Sequence, residues 1–399
     1  MTNTSDRNLL SDYSGYGGTT PMEAFELFDA ARTRCPVSYS QQLGGFHILL
    51  EYEDVQTAHR DAETFSSADG MFRPVVERMK LPPTEYDNPE HDVWRKGGFD
   101  GAVNARTPKR IEDGVRADAN ELIDRFAARG SCDLVAEYTD ELPLRAMCRV
   151  LGFDIEKGPE LRRLTVELLA NLGNSDGADA AMKTLADYGA REVEARRTDP
   201  REDVLTELTH AELGGRTMTR EEISKVVASL IAGGHETTVA ALANLLYDVL
   251  SRPEIKRRLL EDSSLIPAAV EETLRLHPPF MGFYRTVTKQ TTVKGVTLNE
   301  GDHVMLCWAS ANRDPKQFED PLSFRLDRKR NRHMSFGLGV HFCIGAPTAR
   351  MVMRVGAEEL LRRLPDLELA DSGSVHWEFG GTENVAIPKL DVRFTGVQA

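Results

Sequence analysis

The chain has 399 residues, 41% of them hydrophobic, and a formal net charge of −14. That is enough apolar material for a large core, and the acidic balance argues against nucleic acid as a partner. Five cysteines (35, 132, 148, 307 and 343), an odd number with no Cys-x-x-Cys pair, argue against a disulfide framework or structural zinc and favour a reducing cytoplasm. The start, residues 1–19, is a polar tail without the basic and apolar halves of a signal peptide. No uninterrupted apolar run reaches the roughly 20 residues of a membrane span.

Thr20-Pro21-Met22-Glu23 predicts a helix start: Thr as N-cap, Pro at the first position, Glu closing a capping box. The helix runs to about Arg34, and Pro36 stops it. Strands are expected at 37–40 and 46–50, joined through Gly44-Gly45. Residues 66–90 form a long irregular stretch with Pro74, Pro82, Pro83 and Pro89, and loops of that length are usually functional. His91 and Arg95 lie four apart on one face of a predicted helix, a pair suited to gripping a carboxylate. Residues 107–128 are strongly helical, with Ile111, Val115, Leu122 and Phe126 on one core-facing stripe. Another helical run ends near Gly152. Residues 156–198 predict two helices around a Gly/Asp/Ala linker at 173–179.

Thr219 opens a second capping box, and one helix is expected from there to about Arg252, where Pro253 follows. Its middle, Ala232-Gly233-Gly234-His235-Glu236-Thr237-Thr238, carries two adjacent glycines that cost roughly 1 kcal/mol each relative to alanine. The expected gain is room for a flat ligand against bare backbone, with the Thr237 hydroxyl bonded to the Gly233 carbonyl. Glu272 and Arg275 share a helix face before Pro278-Pro279. Apolar and aromatic residues follow (Phe280, Met281, Phe283, Tyr284), then Arg285 and strands at 292–296 and 304–308. Five basic residues (325, 328, 329, 330 and 332) against Asp327 make a local charge of +4. Phe336-Gly337-Leu338-Gly339-Val340-His341-Phe342-Cys343-Ile344-Gly345 then puts one cysteine in a glycine-shaped loop ahead of a helix at 347–364.

That last stretch resembles the cysteine-ligand loop of the cytochrome P-450 family, Phe-Gly-x-Gly-x-(His or Arg)-x-Cys-x-Gly, and matches every fixed position. The resemblance runs from about residue 20 to the end. It implies a mainly α fold with a smaller β region (near 37–50, 283–310 and 375–395), one large domain over 20–399, and a long central helix across a haem. It makes Cys343 the axial thiolate of a non-covalent haem b, in a loop shaped by Phe336 and Gly337. The glycine-broken helix looks like the family's (Ala or Gly)-Gly-x-(Asp or Glu)-Thr-Thr motif. Gly233 then faces the cofactor, and Glu236 and Thr237 relay protons.

By the same resemblance His91, Arg95, Arg285 and His333 hold the haem propionates, and Glu272, Arg275 and Arg328 form a structural triad. Met71, Phe72, Phe280, Phe283 and Tyr284 line the substrate pocket, Val75 is a further candidate contact, and residues 380–383 turn a hairpin into it. The 156–198 pair corresponds to the family's lid. The implied activity inserts one atom of dioxygen into a small or medium apolar organic substrate. Electrons come from a separate ferredoxin or flavodoxin with its reductase, steered by the basic loop. The other readings are a peroxide-driven haem enzyme and a non-catalytic haem-binding or sensor protein on the same scaffold.

Overall fold

The computed structural model describes residues 9–15, 18–101, 103, 106–171, 175–371, 373–380 and 383–396. Its first helix, Pro21–Arg34, carries the expected capping box: the Thr20 hydroxyl accepts from the Glu23 N–H, and the Glu23 carboxylate from the Thr20 N–H. The stripe on Thr107–Asp124 is buried as its spacing predicts, with Ile111, Val115 and Leu122 in the main core. Residues 9–15 are not a free tail. Leu10 and Tyr13 are buried in that same core, because two apolar side chains outweigh the polar neighbours around them.

A five-stranded sheet joins distant parts of the chain, in the order Val37–Ser40, Phe46–Leu49, His303–Cys307, Gly282–Val287, Phe65–Ser66. The contact of Phe46–Leu49 with His303–Cys307 is parallel and the others are antiparallel. Strand alternation on Gly282–Val287 decides which residues reach the functional cavity. Phe283 and Arg285 face it, whereas Tyr284 points the other way, edge-on to Phe46 and donating to Glu383 Oε1 at 2.5 Å. Tyr284 therefore belongs to the core and not to the pocket lining expected of it.

The presumed linker at 173–179 is shorter than its composition suggests. Helices span Gly158–Asn171 and Ser175–Thr198, so 175–179 is helical, while 172–174 lies outside the described residues. Likewise, 381–382 of the expected hairpin lies outside them. The long helix is two helices, Arg220–Gly234 and Glu236–Leu250, meeting at His235 (φ −103°, ψ −78°). Taken together, Arg220–Leu250 is long and apolar enough to cross a membrane. Yet 61% of its most apolar window is buried inside the protein, as befits a core helix.

Behind the cavity, Glu272 and Arg275 are fully buried on the helix Ile266–Leu276. Glu272 accepts from Arg275 Nε and Nη2 (2.9 and 2.7 Å), from Arg328 Nε and Nη2, from the Arg325 backbone N–H and from Asn331. Burial works to protonate this carboxyl, but the two guanidiniums hold it below its ordinary range. We expect Glu272→Ala to cost about 3–5 kcal/mol in urea unfolding, since it strands the fully buried guanidinium of Arg275. A loss under about 1 kcal/mol would mean the charge is effectively solvated.

Glu383 is the opposite case. Burial pushes its carboxyl up to about 8 from 4.5, against the hydrogen bonds of Tyr284 and Tyr13. The folded protein keeps a proton that the unfolded chain gives up. This group's contribution is therefore greatest below about pH 4.5 and is lost progressively as pH rises towards about 8. Calorimetric melting across that window should show the decline, and Glu383→Gln should flatten it.

Candidate functional site

One cavity of about 310 Å³ gathers most of the residues the sequence singled out for the pocket and cofactor. Its walls come from the 66–90 loop, the helix Glu141–Leu151, both halves of the broken helix, the Gly282–Val287 strand and the cysteine loop. Met71, Phe72, His91, Arg95, Gly233, Glu236, Thr237, Phe280, Phe283, Arg285, Phe336, Gly337 and Cys343 all line it. Val75 does not; it is 47% exposed and borders a separate hollow with Pro74 and Arg78.

The cysteine loop is held by backbone geometry. Gly337 and Gly339 both adopt left-handed φ (+68°), and a Cβ at Gly339 would come within 2.8 Å of the His59 carbonyl. The Cys343 N–H donates to the Phe336 carbonyl (2.9 Å), and the helix Ala346–Arg363 starts just beyond. The residue has accessible surface, but that surface faces the cavity. Burial pushes its thiol up, opposed by the N–H groups of Gly345 and Ala346 and by Arg350 and Arg95. The helix start thus helps the thiolate, as the sequence suggests, without overcoming enclosure. Cys132, Cys148 and Cys307 are enclosed in the core instead, and burial pushes the first two up to about 12.

Across the cavity the Thr237 hydroxyl donates to the Gly233 carbonyl at 3.1 Å, the bond its spacing predicts. A Cβ on Gly233 would meet nothing within 4 Å, so open space lies against the bare helix. Glu236 is half-buried, which favours its neutral form, but His235 and the charge of Arg162 prevail and hold it below the ordinary carboxylate range.

At one side the cavity concentrates donors. Arg285 is buried, its Nη1 donating to the Tyr284 carbonyl, and it makes no ion pair among the described residues. Burial brings its guanidinium down to about 10, with Asp87 opposing. Arg95 reaches in beside it, bonded to the carbonyls of Phe342 (3.1 Å) and Val340 and paired with Asp100.

His91 is there too, but His333 is not. His333 Nε2 faces Glu271 at 3.2 Å on the far side of the cysteine loop, where Arg350 completes the pair. Although burial opposes it, these two partners hold Glu271 down to about 2. A histidine with so strong a carboxylate of its own stays with it.

His341 stands where His333 was expected, its Nε2 at 3.3 Å from the Ser67 hydroxyl and its ring 4.7 Å from that of His91. Its signal was present as the (His or Arg) position of the cysteine loop. His59 had no signal. It is 249 residues from Trp308, whose indole N–H donates to its Nε2 at 2.7 Å. Since indole only donates, His59 must carry its proton on Nδ1 and be neutral. Burial, Arg285 and His341 likewise keep it well below the usual imidazole range, and the same kinds of effect take His341 to about 3.

These walls fit a flat ligand with two carboxylates. Among the described residues, His59 Nδ1, His91 Nε2 and His341 Nδ1 are buried without hydrogen-bond partners, all on the cavity beside Arg285. Buried polar groups are rarely left so, and an anionic carboxylate would satisfy them. A thiol on one wall and side-chain-free backbone on the other leave a slot between. We expect Trp308→Phe to release the His59 tautomer: imidazole ¹⁵N spectra should show Nδ1–H alone in the native protein and a mixture in the variant. A single tautomer in both would show that the indole does not set it.

Three comparisons bear on this site. The sequence model described as cytochrome P-450 matches residues 173–365. The steroid C26-monooxygenase of Mycolicibacterium smegmatis is 34% identical over 338 residues, covering 83% of each chain. The mycinamicin IV hydroxylase/epoxidase of Micromonospora griseorubida is 33% identical over 331 residues, 81% of this chain and 83% of that one. Among solved structures, cytochrome P-450 CYP109Q5 from Chondromyces apiculatus superposes with a TM-score of 0.88 at 28% identity, covering 98% of this chain and all of that one.

Proposed function

The chain belongs to the cytochrome P-450 family of haem-iron monooxygenases, and we propose that it holds haem b non-covalently through Cys343 and oxygenates a small or medium apolar organic substrate. The observation that carries this reading is one cavity with a thiol on one wall, bare glycine backbone on the other, and at its side two arginines and three imidazole nitrogens that lack hydrogen-bond partners among the described residues. When bound, haem supplies the iron redox chemistry that dioxygen activation needs. Arg285, His91, His341, His59 and Arg95 would grip the propionates, with His59 added to the expected set and His341 in place of His333. Glu236 and Thr237, side by side on the opposite wall, hold and pass the protons.

Met71, Phe72, Phe280 and Phe283 give the distal part an aromatic and apolar lining. Phe72 packs edge-on to Phe283 (5.4 Å between centroids). Such a lining recognises shape and apolar area rather than charge. The electron donor is a separate acidic ferredoxin or flavodoxin, in a cytoplasmic setting.

The basic loop that would steer it is weaker than its sequence suggests. Arg325 is paired with Glu319, Asp320 and Asp327, and Arg328 is committed to Glu272. Lys329, Arg330 and Arg332 remain exposed.

Turnover with a ferredoxin system and ¹⁸O-labelled dioxygen tests the proposal. One labelled atom should enter the product, and Thr237→Ala should lower product per electron on the order of tenfold or more. Turnover on peroxide alone, insensitive to Thr237, would favour the peroxide-driven reading. Binding of haem without turnover on either would favour a sensor. In Cys343→Ser the thiolate signature of the ferrous carbonyl spectrum should vanish, and its persistence would sink the ligand assignment.

A further inference from the structure

We propose that His235 and Asp140 form a proton inlet that feeds Glu236 from the protein surface, and that Arg162 of the Gly158–Asn171 helix holds its outer end. The inference rests on the monooxygenase reading above, because reduction of dioxygen is what demands the protons.

His235 sits in the break of the long helix and is fully buried. Its Nδ1 faces Glu236 Oε1 at 3.2 Å, and neither atom has a well-aligned hydrogen bond to any described residue. On the other edge of the ring, Nε2 lies 3.3 Å from the Asp140 carbonyl oxygen and 4.0 Å from its carboxylate Oδ1. Asp140 Oδ2 is 2.6 Å from Arg162 Nε, and the Arg162 side chain is 47% exposed. The cavity-lining carboxylate is thus joined to the surface through one imidazole, with a carboxylate on each side of the ring. Such a ring can take a proton at one nitrogen and release another from the opposite one.

A continuous helix would not serve here. The backbone at His235 leaves helical geometry, which sets its ring between Glu236 and Asp140 while Glu236 and Thr237 stay on the cavity wall. His235 does not itself line the cavity and acts through Glu236. The charged groups around it are Asp140, with Glu141 and Arg145 on the helix that follows, Arg162 on the Gly158–Asn171 helix, and Glu236.

For each turnover one oxygen atom enters a C–H bond and the other leaves as water. Two electrons arrive from the donor protein and two protons from the solvent. Each proton would pass from water to Asp140, then to Nε2 of His235, while Nδ1 releases one to Glu236 and Thr237. A half-turn of the ring resets it. Arginine stays charged and carries no proton; Arg162 fixes the Asp140 carboxylate and so ties the inlet to the position of its own helix.

The test compares His235→Gln and Asp140→Asn holoproteins with the native one. Product per electron on dioxygen should fall on the order of tenfold, the electrons diverted to hydrogen peroxide. The solvent deuterium isotope effect should rise, while peroxide-supported turnover is kept. Arg162→Gln should move the same quantities less. Unchanged coupling and isotope effect in both variants would overturn the inlet. So would parallel loss of dioxygen- and peroxide-supported turnover, the mark of a structural role. An infrared titration of the Glu236 carboxyl needs no turnover. Asp140→Asn should displace its midpoint by about 0.5 pH unit in the native background and not in His235→Gln. Absence of that displacement would also overturn the inlet. Failure of the native protein to yield oxygenated product would count against the proposed function alone.

Discussion

The fixed point of this molecule is a carboxylate with no access to water. Glu272 is buried among two guanidiniums, a backbone N–H and an asparagine amide, and each of those donors belongs to a segment that must be held. Arg275 also reaches the carbonyls of Asn312, Pro321 and Ser323. Asn312 in turn bonds the Met334 N–H and the Ser335 hydroxyl, and the Met334 carbonyl accepts from Gly337. From Glu272 to the loop bearing Cys343 is therefore an unbroken run of hydrogen bonds between buried or half-buried groups. Each is worth little by itself, but a buried ion pair that loses one member is costly, so the set has a single low-energy arrangement.

The cavity reverses that economy. Its donor side gathers Arg285 and three imidazoles, each leaving one nitrogen without a hydrogen-bond partner among the described residues. Folding tolerates these groups because the Glu272 framework and the sheet leave them no alternative position. Under the proposed function they are pre-arranged for an anionic ligand, their own desolvation having been met on folding. The same logic explains the glycines at 233 and 234. The helix forfeits propensity there and gains a surface with no side chains.

Polarity is divided sharply inside one space. Cationic and imidazole groups lie towards His59, His91, His341 and Arg285, a carboxylate and a hydroxyl at Glu236 and Thr237, and aromatic rings towards the 66–90 loop. The long helix is interrupted at His235, between its apolar first half and the half that opens with Glu236 and Thr237.

What the sequence alone determined is local or ordered along the chain. It contains both capping boxes, the glycine-broken helix with its Thr237 to Gly233 bond, the Glu272–Arg275 spacing and the cysteine loop. All of these depend on residues within a few positions of one another. Tertiary structure decided whatever turns on partners far apart in the chain. His333 is drawn to Glu271 and His341 takes the cavity; Tyr284 falls on the wrong side of its strand; Leu10 and Tyr13 join the core; Arg325 spends its charge on its neighbours. His59 joins the cavity wall with no signal in the sequence, and Trp308, 249 residues away, fixes its proton. The reason is physical: spacing sets which groups share a face, but a polar group goes to whichever partner best replaces its lost water, and that partner exists only once the chain has folded.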